Sequence, residues 1–209
     1  MVVVDASDPI PAVIESDATG DIKNIFDDIK NVTGVDVVNL VWRRLAKTQN
    51  ALPYLWGVLR PLYESGFINH QAVEFQNQLV LPRLPKFKDE ILLASGIDKL
   101  GKITINNILL SYNRTNTVNL IALQAALITL EGVKEVTLDQ THKKTINDSL
   151  LPMPRLPALS DLSPTIISLV EELNSVGEED GTIIASMYRH LAYWPNYLAL
   201  VKIALEPIA

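Results

Sequence analysis

Apolar residues recur along this chain at steps of three and four, and glycine and proline interrupt them at intervals. That spacing predicts a succession of helices. Residues 1–18 carry proline and aspartate and read as extended surface chain. Thr19-Gly20-Asp21 opens a first helix on which Ile22, Ile25, Phe26 and Ile29 share a face, and Gly34 stops it, since a left-handed cap suits glycine. Asp36 is placed to cap a second helix carrying Val37, Val38, Leu40, Val41, Leu45 and Ala46. Apolar on more than one side, that helix is expected to be deeply buried. Thr48-Gln49-Asn50 breaks it. Pro53 suits the first turn of a third helix, which bears Leu55, Trp56, Val58 and Leu59 and reaches Pro61-Leu62-Tyr63. After Gly66 come a short helix over 69–79, a turn between Pro82 and Pro85, and a helix over 87–95. Gly96 and Gly101 punctuate. One long helix then runs from Lys102 to Leu130, where Ile105, Ile108, Leu109, Tyr112, Asn116, Asn119, Leu120 and Leu123 keep the helical step despite many β-branched residues.

The pattern then returns. Trp42-Arg43-Arg44-Leu45-Ala46 is answered by Tyr188-Arg189-His190-Leu191-Ala192, and at the same offset Asn50 answers to Asn196, Leu52 to Leu198, Leu59 to Leu205 and Pro61 to Pro207. So long a period implies duplication of a domain-sized unit rather than a solenoid. Between the copies, residues 131–163 are first polar and then proline-rich, the composition of a semi-extended surface linker. Ser163-Pro164 opens the second copy, whose Ile166, Ile167, Leu169, Val170 and Leu173 share a face; Gly177 ends that helix as Gly34 ends its counterpart. Thr182–Ala192 and Tyr197–Ala204 repeat the two signature helices. The expected fold is all-α: a first repeat over 1–130, a linker over 131–163, and a shortened second repeat over 164–209, the two repeats packing as a pseudo-dimer. Nothing in the second repeat corresponds to 69–130. Apolar surface left bare on that side would be covered by a partner chain, a homodimer included, or would mark the chain as a fragment.

Composition narrows the chemistry. The 209 residues include no cysteine, which removes disulfides, thiolate metal sites and cysteine nucleophiles. His70, His142 and His190 have no helical four-residue spacing among them, so no zinc site of that kind is expected. A net charge of −6 with scattered basic residues argues against nucleic acid as a partner. There is no secretory leader pattern and no long uncharged apolar run, so no membrane partner is expected, and the default location is cytoplasmic.

Several polar residues stand out against this background. Tyr112, Asn116 and Asn119 lie on one face of a largely apolar helix. They either line a polar pocket or satisfy neighbouring backbone. Asn39, read as mid-helix among valines and leucines, is matched by Ala185 in the second copy, and a polar residue present in one copy alone suggests a site. Arg43 and Arg189 occur in both copies, which favours a structural role over carboxylate binding. His190 stands where the first copy has Arg44. It is either a general base or, more in keeping with its place, a partly exposed structural histidine. Asp180 either activates a water or, in the acidic turn Glu178-Glu179-Asp180, caps the next helix. Trp42, Trp56 and Trp194 are expected to fill the core or the repeat interface.

Val38-Asn39-Leu40-Val41-Trp42-Arg43-Arg44-Leu45-Ala46, Asn50-Ala51-Leu52, Pro61-Leu62-Tyr63, Tyr112-Asn113-Arg114 with Asn116 and Asn119-Leu120, and Tyr188-Arg189-His190-Leu191-Ala192 with Trp194-Pro195 together resemble the DehI-type 2-haloacid dehalogenase family. The likeness runs from about residue 19 to the end. It implies two tandem helical repeats like a fused dimer of the AhpD-like fold, with an active site between them. It also implies an aspartate that activates water for direct attack on the halogen-bearing carbon, with inversion and without metal or organic cofactor. In the second repeat, where that aspartate is expected, the chain reads Thr182-Ile183-Ile184-Ala185-Ser186; the nearest acids are Glu179 and Asp180. The resemblance therefore yields a candidate base, Asp180, and a substrate site of Asn39, Tyr112, Asn116, Asn119 and Ser186 for a small carboxylic acid. The rival is a non-catalytic small-molecule-binding or structural protein that kept the framework without the base. An AhpD-type thiol peroxidase is excluded by the absence of cysteine.

Overall fold

The computed structural model describes residues 10–131, 153–176 and 184–208. Among these the chain is helical, with no strand. The helices are α1 (Gly20–Thr33), α2 (Leu40–Leu45), α3 (Ala51–Glu64), α4 (Phe67–Gln78), α5 (Asp89–Ala94), α6 (Lys99–Leu130), α7 (Pro164–Asn174), α8 (Ser186–Leu191) and α9 (Pro195–Leu205). Short 3-10 turns lie at Glu15–Asp17, Leu159–Asp161 and Glu206–Ile208, the first of them in a stretch expected to be extended throughout.

Where the pattern of residues was strongest, the boundaries follow it. Gly34 takes the left-handed conformation, φ 68°, and closes α1 by donating its N–H to the Lys30 carbonyl. Pro164 occupies the first turn of α7 while the Ser163 hydroxyl accepts from Ile166 N at 3.4 Å.

Two expectations are corrected. The second helix does not begin at Asp36 but at Leu40, with Asn39 as its N-cap: Asn39 Oδ1 accepts from Val41 N at 3.2 Å. The run Val35, Val37, Val38 is β-branched and disfavours helix, and an asparagine with a free acceptor competes well for the first turn. Asn39 is therefore not a mid-helix polar residue. Gly101 does not punctuate either: α6 begins before it, at Lys99, and Gly101 N donates to Asp98 Oδ1 at 2.7 Å. A Cβ on Gly101 would stand 2.9 Å from Trp194 Nε1, so close packing rather than a turn accounts for this glycine.

Two compact units divide the chain. The first comprises Ala12–Val80 and the part of α6 from Ser111 onward; the second comprises Leu81–Leu110 and the residues after 150. In the first unit α1 packs on α3, and α3 on α2 and α4. Its core is built on Phe26, Ile29, Val38, Leu52, Leu59 and Ile68 around three aromatics, Trp42, Trp56 and Tyr63, whose ring centroids lie 5.5–6.4 Å apart. Polar ties surround it. Asp28 on α1 accepts from Trp56 Nε1 at 2.7 Å and from Arg60 Nε at 2.7 Å on α3. Glu15 accepts from Lys30 Nζ at 2.9 Å and from Val38 N at 2.8 Å.

In the second unit α7 packs on α8 and α9, and α8 on α9. Buried Leu159, Val170, Leu173, Leu191 and Leu198 supply apolar contact. The proline-rich segment is held by α8 through its carbonyls. Arg189, 2 % exposed, donates to Pro157 O from Nη2 at 2.7 Å and from Nε at 3.2 Å; His190, fully buried, meets Pro154 O through Nε2 at 2.9 Å; and the Tyr193 hydroxyl, just beyond the helix, donates to Arg155 O at 2.8 Å. Arg189 and His190 are thus structural, and His190 is wholly buried rather than partly exposed.

Candidate functional site

The first unit contains a crevice between the end of α1, the chain leading into α2, the start of α4 and the middle of α6. Its lining includes Ile29, Val35, Val37 and Val118 on the apolar side, with Trp42, and Asn39, Asn69, Arg114 and Asn119 on the polar side. A water-sized sphere finds room for its centre over about 10 Å³ there, and the crevice opens onto solvent. Small apolar walls beside a few convergent polar groups are the usual make-up of a small-molecule site.

Asn119 is the best-determined member. It is 6 % exposed, and its Oδ1 accepts two hydrogen bonds, from Trp42 Nε1 at 3.1 Å and from the Tyr63 hydroxyl at 2.8 Å. An indole N–H can only donate, so the oxygen must face Trp42 and the amide cannot be flipped. Burial pushes the Tyr63 phenol well above its ordinary range, which keeps it a donor. The side chain's Nδ2 is the end left unengaged among the described residues.

Asn39 sits at the N-terminus of α2 with its oxygen capping Val41 N, and its Nδ2 donates to Asn116 Oδ1 at 2.9 Å. Asn116 is exposed and is not part of the lining itself. Tyr112 is buried and also stands outside the lining. Asn39, Asn116, Asn119 and Tyr112 all belong to the first unit, and the first two are directly bonded. Ser186 is the first residue of α8, in the second unit; its hydroxyl is buried and has no hydrogen-bond partner among the described residues. Asp180 lies outside the described residues.

Arg114 and Asn69 were not singled out by the sequence reading. Arg114 is half-buried, makes no ion pair or hydrogen bond among the described residues, and burial alone pushes its guanidinium below its ordinary value. It remains a cation at neutral pH. A signal for it existed. Between residues 103 and 130 of α6 Arg114 is the one charged residue, with no acid three or four positions away to pair with. Asn69, near the start of α4, is half-buried with no side-chain hydrogen bond among the described residues.

No aspartate or glutamate lines the crevice. Among the described residues no cluster of three or more histidine, aspartate or glutamate side chains could hold a metal ion, and no helix is long and apolar enough to cross a membrane. A depression in the second unit, lined by Arg155, Pro157, Asp161 and Tyr193 among others, is the roomier of the two, about 310 Å³ on the same measure; its Asp161 accepts from Ala158 N at 3.1 Å.

No protein family matches the chain, and no curated protein matches it. A solved structure does: a D-2-haloacid dehalogenase mutant in complex with D-2-CPA, at 20 % identity and a TM-score of 0.74, over 95 % of this chain and 70 % of that one. The chain has the all-helical fold of that dehalogenase.

Proposed function

We propose that this protein is a diverged relative of the 2-haloacid dehalogenases that takes a small 2-substituted carboxylic acid into the crevice of its first unit and hydrolyses it by direct attack of water. The observation that carries this reading is the fixed amide of Asn119. Its oxygen is committed to Trp42 and Tyr63, so the end available to a ligand is a hydrogen-bond donor beside an apolar wall. Donors on the substrate carboxylate withdraw negative charge from beside the α-carbon and lessen its repulsion of an incoming water oxygen. In the reaction, a carboxylate base takes a proton from water as the C–O bond forms, the carbon–halogen bond breaks, and halide leaves with its electron pair. The product is a 2-hydroxy acid of inverted configuration. Neither a metal nor an organic cofactor enters these steps. Asp180 is the candidate base, with Asn39 and Asn119 of the crevice as candidates for substrate contact and Asn116, bonded to Asn39, beside them.

A second reading, binding without turnover, is favoured by one observation: the crevice lining itself holds no carboxylate. The test is halide release and chiral product analysis from D- and L-2-chloropropionate, wild type beside Asp180→Asn. Release with inversion, abolished in the variant, is expected. Release untouched by the substitution discards Asp180 as base. No release from either enantiomer by folded protein supports the binding reading.

A further inference from the structure

We infer that Arg114, with Asn119 Nδ2 and Asn69, forms a carboxylate-recognition subsite, and that Arg114 is kept for ligand binding at the expense of stability. The inference deepens the reading just given and rests on the same crevice. A half-buried guanidinium loses hydration, and an acid or a set of carbonyls ordinarily offsets that loss. Four other arginines of this chain follow the rule. Arg60 pairs with Asp28 and Glu64, and buried Arg189 grips the Pro157 carbonyl, while Arg83 and Arg155 stand exposed in water. Arg114 is half-buried with neither among the described residues, and nothing on its own helix from residue 103 to 130 could neutralise it.

Its neighbours in the crevice bring no negative charge. Asn119 has spent its oxygen on Trp42 and Tyr63, which leaves a donor. Thr33 and Thr115 donate their hydroxyl protons back to Ile29 O at 2.6 Å and Ser111 O at 2.8 Å, and Asn39 is committed to Val41 N and Asn116, so none of them offers the cation a counter-charge. A guanidinium fork and an amide N–H lining one crevice are donors suited to a carboxylate. The apolar wall of Ile29, Val35, Val37 and Val118 limits the rest of the ligand to a short chain with an apolar substituent. The ligand class is therefore a small monocarboxylate.

The experiment titrates the full-length protein with propionate, with propionamide as its uncharged counterpart and with inorganic phosphate, following binding by calorimetry and unfolding by thermal melting. Wild type is expected to prefer propionate to both others. Arg114→Gln is expected to weaken propionate by about tenfold or more, as loss of a charge-assisted pair should, while leaving propionamide unchanged; Arg114→Lys should recover part of the loss. A structural arginine would lower the melting temperature when replaced. Arg114→Gln is expected to leave it equal or raise it. Propionate affinity retained in Arg114→Gln, equal binding of propionate and propionamide, phosphate bound as tightly as propionate, or a clear loss of melting temperature would each overturn the assignment. The two readings fail separately. Propionate binding without halide release from 2-chloropropionate discards the hydrolase and leaves the subsite, whereas halide release without Arg114-dependent binding discards the subsite alone.

Discussion

Asn119 carries two buried donors on one oxygen, and this concentrates stability as well as function in a single side chain. Asn119→Ala strands the Trp42 indole N–H and the Tyr63 hydroxyl together, for an expected loss of roughly 2–6 kcal/mol at 1–3 for each unsatisfied buried group. Tyr63→Phe removes one donor and leaves the oxygen served by Trp42, so it should cost only about 1 kcal/mol. Urea denaturation of the two variants checks the contrast, and equal losses would contradict it. The prominence of Asn119 was legible in the sequence as a polar residue on an apolar helical face. Its partners were not, because they lie 77 and 56 positions away in the chain and no local pattern links them. Arg114 was missed for a related reason. Sequence reading looks for what a charge pairs with, and here the informative fact was the lack of a pair, which becomes visible only once burial is known.

At the scale of helices, Asp28 is the main polar tie between α1 and α3. The Arg60 guanidinium, joined by the Trp56 indole N–H, outweighs burial and holds its carboxyl below the ordinary value of 3.8. A carboxylate depressed in the folded state contributes stability fully above its unfolded pKa and loses it as pH falls through the folded value. The wild type should therefore lose stability as pH drops below about 3.8, and Asp28→Asn should flatten that part of an acid-unfolding curve while lowering stability at neutral pH. A second prediction concerns α6. Alanine for glycine inside a helix ordinarily stabilises by roughly 1 kcal/mol, but at Gly101 the new methyl would meet Trp194 Nε1 at 2.9 Å and Asp98 Oδ1 at 3.2 Å. Overpacking of about 1–3 kcal/mol should win, and Gly101→Ala should unfold at lower denaturant than wild type. Helix positions were read well where apolar spacing and caps agreed, as at α1 and α7. They were read less well where they did not: the valines before α2 kept the apolar pattern of a helix while their branching and Asn39 moved its cap three residues on, from the expected Asp36 to Asn39.

Over the whole chain, helical class was legible because the three- and four-residue step persists throughout, and the solved dehalogenase has the same fold. The duplication remains our proposal. It draws support from a recurring order, since α2 and α8 fall at the same offset as the signature residues, and α3 packs on α1 and α2 as α9 packs on α7 and α8. What the sequence did not disclose is how the later part of the first repeat is shared out. Helix α6 runs without interruption from Lys99 to Leu130, yet its residues up to Leu110 belong to the second unit and those from Ser111 to the first. The packed units are therefore not continuous in the gene. A copying event could have passed on the three-helix motif as one uninterrupted segment. Recombination, by contrast, could not transplant either compact unit as a cassette without one crossover between Leu110 and Ser111, in the middle of α6.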